Sequence, residues 1–318
     1  MQPDDRIARR ARQRAHRRRR RRWTFATLAI VLMGATALAV THPWNRASPD
    51  GPSASARAAA GSTPGTTSTS TPPARTSRAE VPLGQRMPTI AEQQAAVARV
   101  ARLGLPLFRA GGKGHWIALT FDDGPGPYTQ TALDALKLNG ARATFFLNGK
   151  NIAQWGSLAK RERRFGEVAD HTWSHAYLPG LSASELNREI DDSSRAISRA
   201  SGAPVLLLRP PYGARTATID SEIRRRGLLQ VQWTVDSRDS QGADWQEILR
   251  ISKEGAKPGA IILLHENRGQ TLKAVNRLLP WLKKRGLTPV SIPELLALDP
   301  PSLAQVRADA RNIVGAGG

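Results

Sequence analysis

The 318-residue chain contains no cysteine. That absence excludes a disulfide framework, a thiolate metal site, a cysteine nucleophile and a lipid-modified cysteine. Acidic charge is short as well, with 26 Asp and Glu against 47 Lys and Arg, a net charge of +21. The excess is uneven. Residues 1–22 hold eleven arginines against two aspartates, whereas the 228 residues from 91 onward carry only +9. A long apolar run occurs at Trp23–Thr41, nineteen uncharged residues directly after the arginine block. It approaches the roughly 20 residues a helix needs to cross a bilayer. Arginines before such a span stay on the cytoplasmic side and send the chain beyond it outside. A cleavable signal peptide is the alternative, because Ala37-Leu38-Ala39 resembles a small-residue cleavage site. The adjacent span accounts for the arginines, so no nucleic-acid partner is expected.

Beyond the apolar run the chain reads as a tether and then a folded region. Residues 42–87 are rich in Ser, Thr, Pro and Ala and cannot bury enough apolar surface to offset their ordering entropy. Residues 88–114 form a helical extension, with Ala and Val recurring at helical spacing in TIAEQQAAVARVARLG. Across 115–298 strand-like runs (WIALTF, ATFFLN, EVAD, VLLLR, LLQVQWTV, AIILLH, TPVSI) alternate with helix-like ones. Ser182 and Glu185 fit a capping box, and Gly140, Gly227 and Gly286 suit helix C-terminal caps. The alternation predicts a parallel sheet covered by helices. Seven units in about 180 residues are short for a closed eight-stranded barrel. A curled barrel and an open doubly wound sheet both fit the pattern. Residues 299–318 read as a tail.

Either fold places chemistry at the C-terminal ends of strands. The first such run ends in Asp122-Asp123, the third in His171-Thr-Trp-Ser-His175, the fourth in Arg209-Pro-Pro-Tyr-Gly213, and the sixth in His265; Asp236 ends the fifth, with Asp239 close behind. Of four histidines in the folded region, three fall at strand ends. Two histidines four apart can face one cation, but Thr172 stands where a zincin has its glutamate. A catalytic zinc takes three protein ligands and a water, so one of the paired aspartates completes the set. The other then serves as a base, with Arg209 available to neutralise and orient it.

LTFDDGP, HTWSH, RPPYG and ILLH, in this order, resemble the motifs of the polysaccharide deacetylases of the NodB-homology type, carbohydrate esterase family 4. The resemblance runs from Trp116 to Leu298. It implies a distorted, incomplete (β/α)7 barrel, here preceded by a transmembrane helix and a disordered linker. It implies one divalent metal, zinc first and cobalt or nickel as alternatives, held by Asp123, His171 and His175. Asp122 is implied as general base, Arg209 as its holder and His265 as the acid. The backbone N–H of Tyr212 is implied to face the oxyanion, with Pro211 and Leu263 lining the acyl pocket.

The implied activity is N-deacetylation of an acetylated glycan, peptidoglycan or chitooligosaccharide. An O-acetyl esterase or an inactive carbohydrate-binding protein is the alternative. The expected location is a single-pass membrane protein with its domain outside the cytoplasm. The remaining family motif, Asp-x-x-Asp-Trp, departs: VDSRDSQGADW places Asp236 as the partner of the acid His but has Ser240 where the Trp belongs. Trp245 is expected to pack the next helix. Asp170 is read as either an orienting group for His171 or a plain loop acid. Glu266, Asn267 and Arg268 are read as either a helix cap or a sugar contact.

Overall fold

The first strand, β1 (Trp116–Gly124), shows how the sheet is built. Its residues alternate between two apolar layers, as strand geometry requires. Ile117, Leu119 and Phe121 join a layer beneath helices that includes Leu133, Leu136, Val275 and Leu278. Trp116 and Ala118 join the opposite layer with Phe146, Ala169, Leu207, Leu229, Val231 and Ile261. A strand buried on both faces needs cover on both, and that selects a parallel α/β arrangement. The structure is a computed structural model that describes residues 86–312. The basic segment 1–22, the apolar run 23–41 and the tether as far as residue 85 lie outside the described residues. Among the described residues no helix is long and apolar enough to cross a membrane.

Around β1 stand β2 (Ala143–Leu147), β3 (Gly166–Asp170), β4 (Leu207–Leu208) and β5 (Leu229–Gln230) on one side, with β7 (Ile261–His265) and β6 (Val235–Asp236) on the other. β8 (Thr288–Val290) pairs the opening residues of β1, ahead of the stretch that β2 takes up. All these pairings are parallel. The expected seven units become eight strands because the run LLQVQWTV does not stay with one neighbour. It leaves β4 after Gln230, and the backbone N–H of Thr234 already donates to Ile261. The chain thus crosses from one sheet edge to the other and curls the sheet.

Residues before β1 stitch that seam. Leu107 donates its N–H to Gln230 and accepts from Gln232, while Ala110 donates to Gly259. Helix α1 (Ile90–Ala101) opens with a Thr89–Glu92 capping box and buries Val97 and Val100 in the inner layer. α9 (Ile292–Leu298) and α10 (Leu303–Asn312) add Leu295, Leu296 and Val306 to the same layer. The stretch expected to be a tail therefore carries a packed helix through residue 312. The remaining helices cover the sheet: α2 (Thr129–Asn139), α3 (Ile152–Glu162), α4 (Ala183–Asn187), α5 (Ser193–Ser201), α6 (Ala217–Arg225), α7 (Trp245–Gly255) and α8 (Gly269–Lys284). A π-helical turn, Arg188–Asp192, joins α4 to α5.

Candidate active site

Strand register brings the candidate residues together. Asp122 pairs with Phe146 on β2 and with His265 on β7, and Leu147 pairs with Asp170, which precedes His171. On the inner face of β1, Thr120 and Asp122 point toward Arg209, whose side chain is fully buried. The Arg209 guanidinium donates to Asp122 Oδ1 at 2.6 Å, Thr120 Oγ1 at 2.9 Å and Gln232 O at 3.1 Å, and lies 4.1 Å from the centre of the Phe146 ring. Burial raises the pKa of Asp122, and the Arg209 charge opposes that rise. With Oδ1 engaged, Oδ2 is left toward His171 Nε2, 3.6 Å away.

Asp123 follows with φ 72°. Among the described residues, five non-glycine residues have φ in the left-handed region: Asp123, Thr172, His175, Tyr212 and Arg238. Asp123 is at the end of β1, the other four follow strands β3, β4 and β6, and two of the five are candidate metal ligands. Such conformations cost about 1–3 kcal/mol each and persist where the surroundings over-determine them. At Asp123 and His175 this conformation accompanies side chains that converge on one point. Asp123 Oδ1 lies 3.9 Å from His171 Nε2 and 3.5 Å from His175 Nε2, and the three ligand atoms lie within 4.8 Å of one another.

The other ring nitrogens are already occupied. His171 Nδ1–H donates to Arg209 O at 2.7 Å, and His175 Nδ1 meets Tyr212 Oη at 3.2 Å. Each ring therefore offers Nε2, the orientation that outer hydrogen bonds impose on metal-binding histidines. Burial, partly offset by Asp123, lowers His171 to about 3 and keeps the ring neutral, as ligation requires. Two imidazole nitrogens and one carboxylate oxygen form a donor set suited to zinc and its neighbours. The residues fit a divalent ion.

On the opposite flank His265 Nδ1–H donates to Asp239 Oδ1 at 2.7 Å. The Asp239 carboxylate also accepts from His265 N at 2.7 Å and Thr271 Oγ1 at 2.6 Å. Burial works to lower His265, but the hydrogen bond and charge of Asp239 outweigh it, and the pKa ends raised. The expected partner, Asp236, is corrected by register. Asp236 pairs with Leu263, two residues short of His265 and roughly 6–7 Å back along the strand. Its carboxylate closes a local turn by accepting from Arg238 N at 2.8 Å.

Leu263 is buried on the same face of β7 as His265, and Pro211 is buried in the turn that presents Tyr212. Ser240 is exposed, and Trp245 packs on α7 with Lys273 Nζ 4.8 Å and Arg277 Cζ 4.4 Å from its ring centre. Trp245 is thus a packing residue, and no Trp takes the family position at Ser240.

Supporting groups surround these residues, and of them Asn148, Asn151 and Glu189 were not singled out in the sequence. Asn267 Nδ2 donates to Asp123 Oδ2 at 3.0 Å, while Asn148 and Asn151, at the end of β2, donate to the backbone oxygens of His171 and Asp123. The pair of asparagines in FLNGKN is the signal that was available. Asp170 does not reach the His171 ring. It accepts from Thr172 N and Ser193 Oγ, both at 2.7 Å, and from Ser194 Oγ, and so shapes the HTWSH loop. Burial raises Asp170 to about 7. Glu189, in the π-helical turn, accepts from Ser174 Oγ at 2.6 Å and Ser174 N at 2.9 Å. Glu266 is buried beneath Gly124, where an added Cβ would lie 2.1 Å from its Oε1. It accepts from Thr129 Oγ1, and burial raises its pKa to about 7.

The polysaccharide deacetylase family model matches residues 110–231. A peptidoglycan-N-acetylglucosamine deacetylase, PgdA, of Listeria monocytogenes is 36% identical over 181 residues, 56% of this chain and 38% of that protein. A chitooligosaccharide deacetylase of Bradyrhizobium sp. is 35% identical over 198 residues, covering 56% of this chain and 90% of that one. The crystal structure of the Bc1960 peptidoglycan N-acetylglucosamine deacetylase aligns with a TM-score of 0.57 at 30% identity, over 59% of this chain and 91% of that one. The chain belongs to the polysaccharide deacetylase family. It spans well under half the length of the Listeria relative.

Proposed function

We propose that this protein is a metal-dependent hydrolase that removes N-acetyl groups from an N-acetylated glycan, with peptidoglycan or a chitooligosaccharide as substrate. The observation that carries the reading is the convergence of two proton-handling groups on one three-ligand cluster. Asp122, oriented by Arg209, stands on one side of Asp123, His171 and His175, and His265, oriented by Asp239, belongs to the neighbouring strand. A divalent ion held by the cluster supplies Lewis acidity and lowers the pKa of water.

The protein's own groups supply the rest. Asp122 Oδ2 is placed to take the proton of the attacking water. His265, with Nδ1 bound to Asp239, has Nε2 to give a proton to the amide nitrogen, a poor leaving group until protonated. In this reading the Tyr212 N–H donates to the oxyanion. An O-acetyl esterase on the same fold is the second reading; Ser240 in place of the family tryptophan leaves the acyl pocket without that wall. The apolar run 23–41 anchors the chain in this reading, with the domain facing the wall outside the cytoplasm.

Acetate release by the full chain from chitooligosaccharides and from purified peptidoglycan tests the proposal, after chelation and with zinc, cobalt or nickel restored. Metal-restored release from either supports it. No release with metal shown bound would overturn it. His265→Ala tests the acid role: loss on the amide should exceed loss on an activated ester, whose leaving group needs less protonation, and equal losses would argue against that role.

A further inference from the structure

Helix α8 and its flanks carry charge of one sign. From Asn267 to Pro293 the chain has six cations, Arg268, Lys273, Arg277, Lys283, Lys284 and Arg285, and no Asp or Glu. Elsewhere arginines are answered by carboxylates: Arg109 by Asp309, Arg215 by Asp220, Arg225 by Glu222, and Arg250 of α7 by both Glu247 and Glu254. Among the described residues no carboxylate lies within ion-pair distance of Lys273, Arg277, Lys283, Lys284 or Arg285. All five are exposed.

Aromatic rings stand where the carboxylates are missing. Trp245 has Lys273 Nζ at 4.8 Å and Arg277 Cζ at 4.4 Å from its ring centre, and Trp281 has Lys253 Nζ at 5.5 Å and Arg285 Cζ at 5.7 Å. A ring face attracts a cation, and the long stems cover apolar surface. That accounts for where these side chains lie and leaves their charge without a counter-charge. Steps of four and seven residues return to nearly the same side of a helix, so Lys273, Arg277 and Lys284 form one stripe, about 16 Å long at 1.5 Å per residue. Arg285 and Lys253 widen its far end. Of the helices packed against α8, α7 ties Glu247 and Glu254 to Arg250, and α2 has a single acid, Asp134, bound by Gln130.

We propose that the outer face of α8, with Lys253 of α7, is a docking surface for a linear polymer of phosphate groups. Charge complementarity carries the proposal: a row of exposed, unpaired cations fits an extended anion rather than a single ion. Lysine meets phosphate as a point charge and arginine as a planar fork. A nucleic acid is the poorer fit, because Trp245 and Trp281 are half-buried and already face cations, which leaves no platform for stacked bases. The surface shares no residue with the candidate active site and does not rest on the deacetylase reading.

Every lysine of the chain lies between Lys113 and Lys284, and none in the arginine block, so lysine footprinting of the full chain reads this surface apart from residues 1–22. The protein is acetylated with an N-hydroxysuccinimide ester, with and without inorganic polyphosphate, and each lysine is read by mass spectrometry. Lys253, Lys273, Lys283 and Lys284 should lose reactivity, while the exposed Lys113 and Lys160 keep theirs. Added salt should reverse the protection. In Lys273→Gln/Arg277→Gln the polyphosphate concentration that half-protects Lys283 and Lys284 should rise roughly 2- to 30-fold, the range for two exposed charge contacts. Lys113→Gln/Lys160→Gln should leave it unchanged. No protection of the four lysines, or equal protection of Lys113 and Lys160, would overturn the proposal, as would a half-protection point indifferent to the first double variant. Equal protection by polygalacturonate would overturn the choice of phosphate. Protection by phosphatidylglycerol vesicles and not by polyphosphate would give the face to a membrane instead.

Discussion

Replacing Asp239 with Asn probes the acid flank of the site. The Asp239 carboxylate receives His265 Nδ1–H, His265 N and Thr271 Oγ1, and His265 is raised above 6.5 because that support outweighs burial. A hydrogen bond to a charged group contributes about 1.5–3 kcal/mol. One pKa unit corresponds to about 1.36 kcal/mol. Removing the charge should therefore lower the pKa of His265 and cut amide turnover on the alkaline side by roughly 10- to 100-fold. The direction follows from the group's role: a reaction that needs protonated His265 runs below its pKa and fades above it. In Asp239→Asn the alkaline limb of kcat/KM for an amide substrate should move to lower pH. Asp236→Asn is the control, since its carboxylate serves Arg238 N. Titration of the His265 ring by NMR reads the shift without turnover. An unchanged ring pKa in Asp239→Asn, or an equal shift in Asp236→Asn, would refute the assignment.

Asp122→Asn should cut turnover by about 10²–10⁴, the usual contribution of a general base, while metal affinity measured by chelator competition is retained; loss of the metal would mean the two aspartates have exchanged roles. Asn267→Ala frees Asp123 Oδ2 and should weaken metal binding by about 10- to 100-fold, again read by competition, and an unchanged affinity would remove Asn267 from the site's support. Glu167, buried near the start of β3, is raised by burial from 4.5 to about 7. Between those values the unfolded chain releases a proton that the folded one keeps, so stability falls as pH rises through the window and levels off above it. Glu167→Gln should flatten that part of the melting-temperature profile and stabilise the protein above pH 7 by up to about 3 kcal/mol; a profile that keeps its slope would show that Glu167 is not its source.

The site was legible wherever chemistry and sequence were contiguous. Asp122-Asp123, His171 to His175 and Arg209 to Tyr212 each sit at the end of an apolar run, and a parallel sheet gathers such ends on one side. Pairings that depend on register were not legible. Asp236 and Asp239 look equivalent in VDSRDS, and only the opposition of Asp236 to Leu263 shows which one reaches His265. The split of LLQVQWTV into β5 and β6 was hidden for a similar reason, because each half finds its partner on a different sheet edge. α10 was hidden because it buries little apolar surface, chiefly Val306 and Ala310, and is held by polar ties such as Arg109 to Asp309. Asn267 stood out as a helix cap or a sugar contact, and only its hydrogen bond to Asp123 shows that it supports a candidate metal ligand.

The seam before β1 also decides how the domain would bear a load. A pull on the chain ahead of residue 86 would reach α1 and then the hydrogen bonds from Leu107 to Gln230 and Gln232 and from Ala110 to Gly259. Asp299 fastens the next stretch, accepting from Lys113 N at 3.0 Å and Gly114 N at 3.1 Å, and Arg109 is tied to Asp309. Force therefore spreads into the β5 edge, the turn before β7 and the C-terminal helix before it arrives at Trp116. The strand that carries Asp122 and Asp123 thus sits behind a strain relief, a run of contacts that must break before a pull from upstream is felt at Trp116.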